Sequence, residues 1–143
     1  MNTNQLRIII FEDDEALSSL FKMTLQEDGH EVLTFSDPTV CPVLQNDKAK
    51  CPQKHPCADV VISDINMPNM DSLELLRILK SRGCKALGAN RALMSADTSN
   101  EQREAVKKIG CKFFVKPFKL NDVKRWLAEC ATRIPEGRLL AQL

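Results

Sequence analysis

The sequence predicts an α/β fold in which a parallel sheet carries helices on both faces. Short apolar runs recur along the 143-residue chain, and such runs fit strands that are buried on both sides. Stretches with apolar residues at three-to-four spacing alternate with these runs and predict helices. Strands that alternate with helices indicate βα repeats, in which neighbouring strands run parallel.

The first half of the chain contains three predicted strands and one clear helix. The apolar run at residues 6–11 predicts the first strand, and residues 31–35 predict the second. Between them lies a helical pattern that Gly29 closes as a C-terminal cap. Residues 60–63 predict a third buried strand, which ends on Asp64. The apolar stripe of the helix consists of Leu17, Leu20, Phe21 and Leu25.

The second half continues the alternation to a fifth strand and a last helix. Its elements are a helix at about residues 73–82, a strand at 91–94, a helix at 100–109, a strand at 112–115 and a last helix. Ser95 follows the fourth strand, Gly110 ends the helix before the fifth strand, and Lys116 follows that strand. Trp126 lies one position off the stripe of the last helix, at its edge. That stripe consists of Val123, Leu127, Cys130 and Ile134.

These elements make one domain at residues 1–134, followed by a short C-terminal tail at residues 135–143. A stretch at residues 38–58 interrupts the alternation. It is rich in proline and cysteine, and we expect a short helix there at most.

Composition indicates an ordinary globular protein, with 43% apolar and 27% charged residues. The net charge of +1 gives no general case for nucleic acid or membrane binding. The charge is unevenly spread, however, since residues 1–71 carry a net −7 and residues 72–143 a net +8. The apolar run near the start is too short for a signal peptide core or a membrane span, so we expect a cytoplasmic protein. Its six cysteines are then reduced thiols, metal ligands or core residues.

Polar side chains follow four of the predicted strands, at the edge where open α/β sheets place their sites. Carboxylates that cluster at one edge repel each other, and a hard cation such as Mg²⁺ would relieve this repulsion. A carboxylate can also attack phosphorus to form an aspartyl phosphate, whose charge a lysine and a hydroxyl would help to neutralise. The residues in question are Glu12, Asp13, Asp14, Asp64, Ser95 and Lys116.

Four sequence motifs together resemble the receiver domain of bacterial two-component response regulators. The resemblance covers about residues 5–134 and implies a flavodoxin-like receiver fold with strand order 2-1-3-4-5. It implies a stand-alone phospho-acceptor rather than an enzyme, one that assists its own phosphorylation and dephosphorylation. The motifs are Phe11-Glu12-Asp13-Asp14, Ile62-Ser63-Asp64-Ile65-Asn66-Met67-Pro68, Met94-Ser95-Ala96 and Phe113-Phe114-Val115-Lys116-Pro117-Phe118.

The resemblance implies a role for each matching residue. Asp64 would accept the phosphoryl group, and Lys116 would contact it, with Pro117 following in a cis bond. Ser95 would be the switch hydroxyl and Phe113 the switch aromatic. The implied ligands of Mg²⁺ or Mn²⁺ are Glu12, Asp13, Asp64 and the backbone carbonyl of Asn66, while Asp14 lies just outside the site.

The resemblance also implies partners. The phosphoryl donor would be a sensor histidine kinase or a phosphotransfer protein. The output would be altered binding of a downstream protein, or self-association as a homodimer, through helix 4, strand 5 and helix 5 in the family's usual count. That region is rich in basic residues. They either mark a surface for an acidic partner or are ordinary solvated charges of the helices. They are Lys107, Lys108, Lys112, Lys119, Lys124 and Arg125.

Two other functions remain open at this stage. A receiver-like scaffold could keep the fold without being phosphorylated. An aspartyl phosphohydrolase is the other alternative. Such enzymes typically have an Asp as general acid two positions after the nucleophile, where this chain has Asn66.

The cysteine-rich stretch offers a second metal hypothesis. Three cysteines and a histidine provide a Cys₃His ligand set for a structural Zn²⁺, although the spacing is not a common zinc pattern. The alternatives are a redox pair or loop cysteines without such a role. The four candidate ligands are Cys41, Cys51, His55 and Cys57.

Overall fold

The predicted fold is present in the computed structural model, which describes residues 5–37, 56–67, 72–81, 90–96, 99–135 and 137–141. The strands are β1 (Arg7–Phe11), β2 (Glu31–Phe35), β3 (Val60–Asp64), β4 (Arg91–Ser95) and β5 (Lys112–Val115). They form one parallel sheet in the order β2-β1-β3-β4-β5, which confirms the implied topology. The described helices are α1 (Glu15–Glu27), α2 (Ser72–Ser81), α3 (Asn100–Ile109) and α4 (Leu120–Thr132).

Helices cover the sheet on both faces, because alternate residues of each strand point to opposite sides. In β1, Ile8 and Ile10 belong to the apolar layer beneath α1 and α4, whereas Phe11 belongs to the layer beneath α2 and α3. β3 and β4 are buried along their whole lengths. This explains why their sequences read as nearly continuous apolar runs rather than alternating ones.

Trp126 is a core residue rather than an edge residue of α4. It is 4% exposed, and its ring meets the ring of Phe114 edge-on, with the centroids 5.8 Å apart. Phe118 continues the aromatic group toward Phe21 of α1. Helical periodicity alone predicts a position beside the apolar stripe. In the structure, the large ring of Trp126 spans the space between α4 and β5 and so becomes part of the core.

Local signals in the sequence account for the ends of two helices. Asp14 caps α1, since its side chain accepts hydrogen bonds from the backbone N–H groups of Ala16 and Leu17. Gly110 follows α3 with a φ of +83°, a left-handed conformation that favours glycine.

Among the described helices, none has the length and apolar character needed to cross a bilayer.

Several sequence-based expectations lie outside the described residues. These concern residues 38–55, which make up most of the stretch where we expect a short helix at most, and three of the four candidate zinc ligands, namely Cys41, Cys51 and His55. Cys57 is described and half-buried, and the zinc site stays a prediction.

Candidate functional site

The carboxyl edge of the sheet brings together three residues that are far apart in sequence. Glu12 directly follows β1, Asp64 ends β3, and Lys116 directly follows β5. Lys116 Nζ lies 2.6 Å from Asp64 Oδ1 and 3.0 Å from Glu12 Oε1. The side chains meet because the carboxyl ends of parallel strands share one edge. The predicted grouping of Glu12, Asp64 and Lys116 is therefore present.

Backbone hydrogen bonds between strand ends hold these residues in place. The amide of Glu12 donates to the carbonyl oxygen of Phe35 in β2 (2.9 Å). On the other side, the amide of Lys116 donates to the carbonyl oxygen of Ser95 (2.8 Å). The Lys116–Pro117 peptide bond is cis, as the resemblance implied. The site is thus built on the rigid sheet, which is the arrangement that keeps reacting groups in register.

Three carboxylates at this edge could hold a divalent cation. One oxygen from each of Glu12, Asp13 and Asp64 lies within 4.8 Å of the others. Glu12 and Asp64 are buried, whereas Asp13 is exposed to solvent. An all-oxygen set with one open side suits Mg²⁺, which takes one or two carboxylates and keeps its other positions for water or phosphate oxygens. Asp14 does not join this group, because its carboxylate caps α1.

The electrostatic state of the site follows from its burial. Burial raises the pKa of Glu12, and the neighbouring Asp64 raises it further, while the hydrogen bond from Lys116 opposes both. Burial by itself lowers the pKa of Lys116, but its hydrogen bonds to Asp64 and Glu12 outweigh that effect and raise it. Lys116 therefore stays charged and balances part of the negative charge of the site.

The remaining predicted site residues lie around this centre. Ser95 ends β4 and is buried, and Asn66 is exposed two positions after Asp64. Phe113 is half-buried in β5, where it packs against the layer beneath α2 and α3. The register pairs Leu93 with Phe113 and Ser95 with Val115, so Ser95 and Phe113 lie on the same face of the sheet. Their switch roles, and the metal role of the Asn66 carbonyl, stay predictions.

Sequence reasoning missed a cleft of about 300 Å³ next to the carboxylates. Two of its hydroxyls belong to α1 and two lie in or after β2, and neither pair has a recognisable motif. Only the packing of α1 beside β2 brings them next to Glu12 and Asp13. The hydroxyl residues are Ser18, Ser19, Thr34 and Ser36.

Comparison with known families identifies the chain. The family described as "Response regulator receiver domain" matches residues 8–128. The chain belongs to this receiver domain family. The transcriptional regulatory protein FlgR of Helicobacter pylori is 32% identical over 116 residues, which are 80% of this receiver and 26% of FlgR. A relative from Picosynechococcus sp. is 30% identical over 124 residues, 85% of this receiver and 47% of that protein. The chain thus spans about a quarter to a half of the length of these relatives.

Solved receiver domains share its fold. The receiver domain of Francisella response regulator 1452 superposes with a TM-score of 0.73, covering 90% of this receiver and 98% of that chain at 20% identity. A second match is the receiver domain of sensor histidine kinase PA1611 from Pseudomonas aeruginosa, solved with a magnesium ion coordinated in its active site cleft. Its TM-score is 0.70, with 90% and 98% coverage at 18% identity.

Proposed function

We propose that this receiver is a phosphorylation-dependent switch whose phospho-acceptor is Asp64. The observation that carries the proposal is the contact of the Lys116 ammonium with both Asp64 and Glu12, beside the exposed carboxylate of Asp13. An acceptor carboxylate, a fixed positive charge and further oxygen ligands are the groups that phosphoryl transfer needs.

The transfer forms one bond and breaks one. A carboxylate oxygen of Asp64 attacks the phosphorus of a phosphohistidine on a sensor histidine kinase or phosphotransfer protein. The P–N bond breaks, its electron pair stays on the imidazole, and that nitrogen takes a proton from solvent. Lys116 then pairs with an oxygen of the new phosphoryl group, because its ammonium already lies 2.6 Å from the acceptor carboxylate.

The residues present fit Mg²⁺ or Mn²⁺ as the cofactor. Glu12, Asp13 and Asp64 would hold it, together with the backbone carbonyl of Asn66. The ion, when bound, supplies positive charge to the transferring phosphoryl oxygens. The magnesium in the related PA1611 receiver supports this assignment. Asp13 offers its carboxylate from the solvent side, while Glu12 offers its own from the buried side.

The switch would run from Ser95 to Phe113. A phosphoryl group on Asp64 attracts the Ser95 hydroxyl, which can donate a hydrogen bond to one of its oxygens. The space that Ser95 leaves allows Phe113 to turn inward. Phe113 packs in the same apolar layer as Val106 and Ile109 of α3, so its movement changes the surface that α3 presents.

The output surface would be α3, β5 and α4, which are helix 4, strand 5 and helix 5 in the family's count. Lys107, Lys108 and Lys119 are exposed there and make no ion pair within the described part of the chain. A partner protein with an acidic surface, or a second copy of this receiver, would bind this surface differently after phosphorylation.

Intact mass measurement tests the proposal. Wild-type protein incubated with a small-molecule phosphodonor and Mg²⁺ should gain one phosphoryl group, and EDTA should prevent the gain. Asp64→Asn should gain none, whereas the control Asp122→Asn, an acid of α4 that pairs with Arg125, should behave as wild type.

Other outcomes separate the alternatives. A phosphoryl group that still appears on Asp64→Asn would refute the assignment of the acceptor. Absence of both the adduct and Mg²⁺ binding in wild type would favour the phosphorylation-silent scaffold. Turnover of a stable phosphomonoester would favour the phosphohydrolase.

A further inference from the structure

Residues 137–141 contact the edge of the sheet opposite the phospho-acceptor site. Arg138 makes a two-pronged ion pair with Asp59, with Nε 2.9 Å from Oδ1 and Nη2 2.6 Å from Oδ2. Its Nη2 also donates to the backbone carbonyl oxygen of Gln5 (3.0 Å). Asp59 immediately precedes β3, so this contact lies at the amino-terminal edge of the central strand.

The ion pair is built into the fold rather than lying on the surface. The side chain of Asp59 is 2% exposed and that of Arg138 is 33% exposed. Asp59 Oδ2 also accepts the backbone N–H of Arg7 (2.8 Å), so the carboxylate ties β1 to Arg138. Two-pronged arginine–carboxylate pairs that are shielded from water are among the stronger charged hydrogen bonds.

A second set of contacts joins the same segment to residues 56–59, at the end of the cysteine- and proline-rich stretch. The amide of Ala141 donates to the carbonyl oxygen of Pro56 (2.8 Å). The guanidinium of Arg7 donates through Nη1 to the carbonyl oxygens of both Ala141 (2.6 Å) and Cys57 (3.2 Å). Ala141 itself is buried.

We propose that residues 137–141 form a strap that latches residues 56–59 onto the amino-terminal edge of the sheet and thereby limits access of solutes to the Cys57 thiol. The folded unit then extends to Ala141 instead of ending near residue 134. The strap works independently of phosphorylation, because β3 separates Asp59 from Asp64 by roughly 16 Å of extended strand.

Alkylation of Cys57, followed by peptide mass spectrometry, tests the strap on the full chain. Arg138→Gln removes the positive charge and the two guanidinium hydrogen bonds that hold Asp59. The rate of Cys57 alkylation should rise by roughly tenfold or more, as expected when a charged hydrogen bond to a shielded group is lost. Half-buried Cys111, beside β5, serves as the internal reference and should not change. Arg125→Gln is the matched control, since Arg125 forms an exposed ion pair within α4.

A second pair of variants tests the backbone contact without touching the ion pair. Ala141→Pro removes the N–H that donates to Pro56 and should also increase Cys57 alkylation, whereas Ala141→Gly keeps this N–H and should not. Hydrogen exchange at the Ala141 amide should be protected in wild type and lose that protection in Arg138→Gln.

Three results would overturn the strap. They are an unprotected Ala141 amide in wild type, an unchanged Cys57 rate in both Arg138→Gln and Ala141→Pro, and loss of the whole fold in Arg138→Gln by far-UV circular dichroism. The last result would mean that the pair belongs to the global core. Phosphorylation of Asp64 by the small-molecule donor should be the same in all variants.

Discussion

Replacing Asp13 by Asn should stabilise the metal-free receiver. One oxygen of Asp13 lies within 4.8 Å of the oxygens of Glu12 and Asp64. Two unit charges at 4.8 Å repel by about 0.9 kcal/mol in water and by about 3.5 kcal/mol at an effective dielectric constant of 20. Asp13 is exposed, so the lower value applies to each neighbour. Because Lys116 offsets one of the two negative neighbours, the expected net gain is about 1 kcal/mol.

Magnesium should reverse this order. Ligand binding to the folded state stabilises wild type by about 1.4 kcal/mol at ten times the dissociation constant. Asp13→Asn lacks one of the proposed ligands and should gain much less. Thermal unfolding monitored by circular dichroism, with and without Mg²⁺, measures both effects. Without Mg²⁺ the variant should melt roughly 2–4 °C above wild type.

Asp14→Asn is the matched control, since it makes the same charge change one residue further on. Asn is as good an N-cap as Asp, but the variant loses a negative charge at the start of α1. It should therefore be slightly less stable than wild type, by about 0.3–1 kcal/mol, and should keep the full response to Mg²⁺. Equal melting temperatures and equal Mg²⁺ responses for the two variants would refute the reasoning about the site.

Three further predictions concern the fold. Trp126→Ala should lower the free energy of unfolding by about 3–5 kcal/mol in urea titrations, because it removes a buried ring that packs on Phe114; a cost below that of an exposed substitution would contradict its place in the core. Gly110→Ala should cost about 1 kcal/mol by the same measurement, since its φ is +83° and a new Cβ would meet no atom within 4 Å, and Gly110→Asn should cost less. Burial lowers the pKa of His30 from its ordinary 6.5, and its Nδ1 accepts the backbone N–H of Leu6. The unfolded chain then binds a proton more readily than the folded one, so stability should fall as the pH drops below about 6.5. His30→Gln should show a smaller fall between pH 7.5 and 5, and an NMR titration that places the pKa of folded His30 at or above 6.5 would disprove this.

The proposed phospho-acceptor site illustrates why a functional edge can lower stability. Glu12 and Asp64 are both buried at this edge and face one lysine. Their burial lowers the free energy of unfolding relative to an apolar edge, because removing charges from water costs free energy. Lys116 offsets part of this cost within the protein itself. The rest of the negative charge remains available for a cation, which is the property that the proposed switch requires.

The order of helices and strands could be read from the sequence because periodicity and capping are local properties. Each local signal lies within a few residues of the element that it determines. Examples are the buried apolar runs of β3 and β4 and the glycine that ends α3. The grouping of Glu12, Asp64 and Lys116 was also predictable, since each of them follows or ends a strand. In a parallel sheet, that position alone brings them to one edge.

Only the tertiary structure decided which distant side chains pair with each other. The resemblance already placed Asp14 just outside the carboxylate group, but only the structure shows that its side chain caps α1. The pairing of Asp59 with Arg138 joins residues that are 79 positions apart, and no local pattern marks either as a partner of the other. Such contacts depend on how distant segments pack, because the free energy of a buried charge is set by whichever group the fold places beside it.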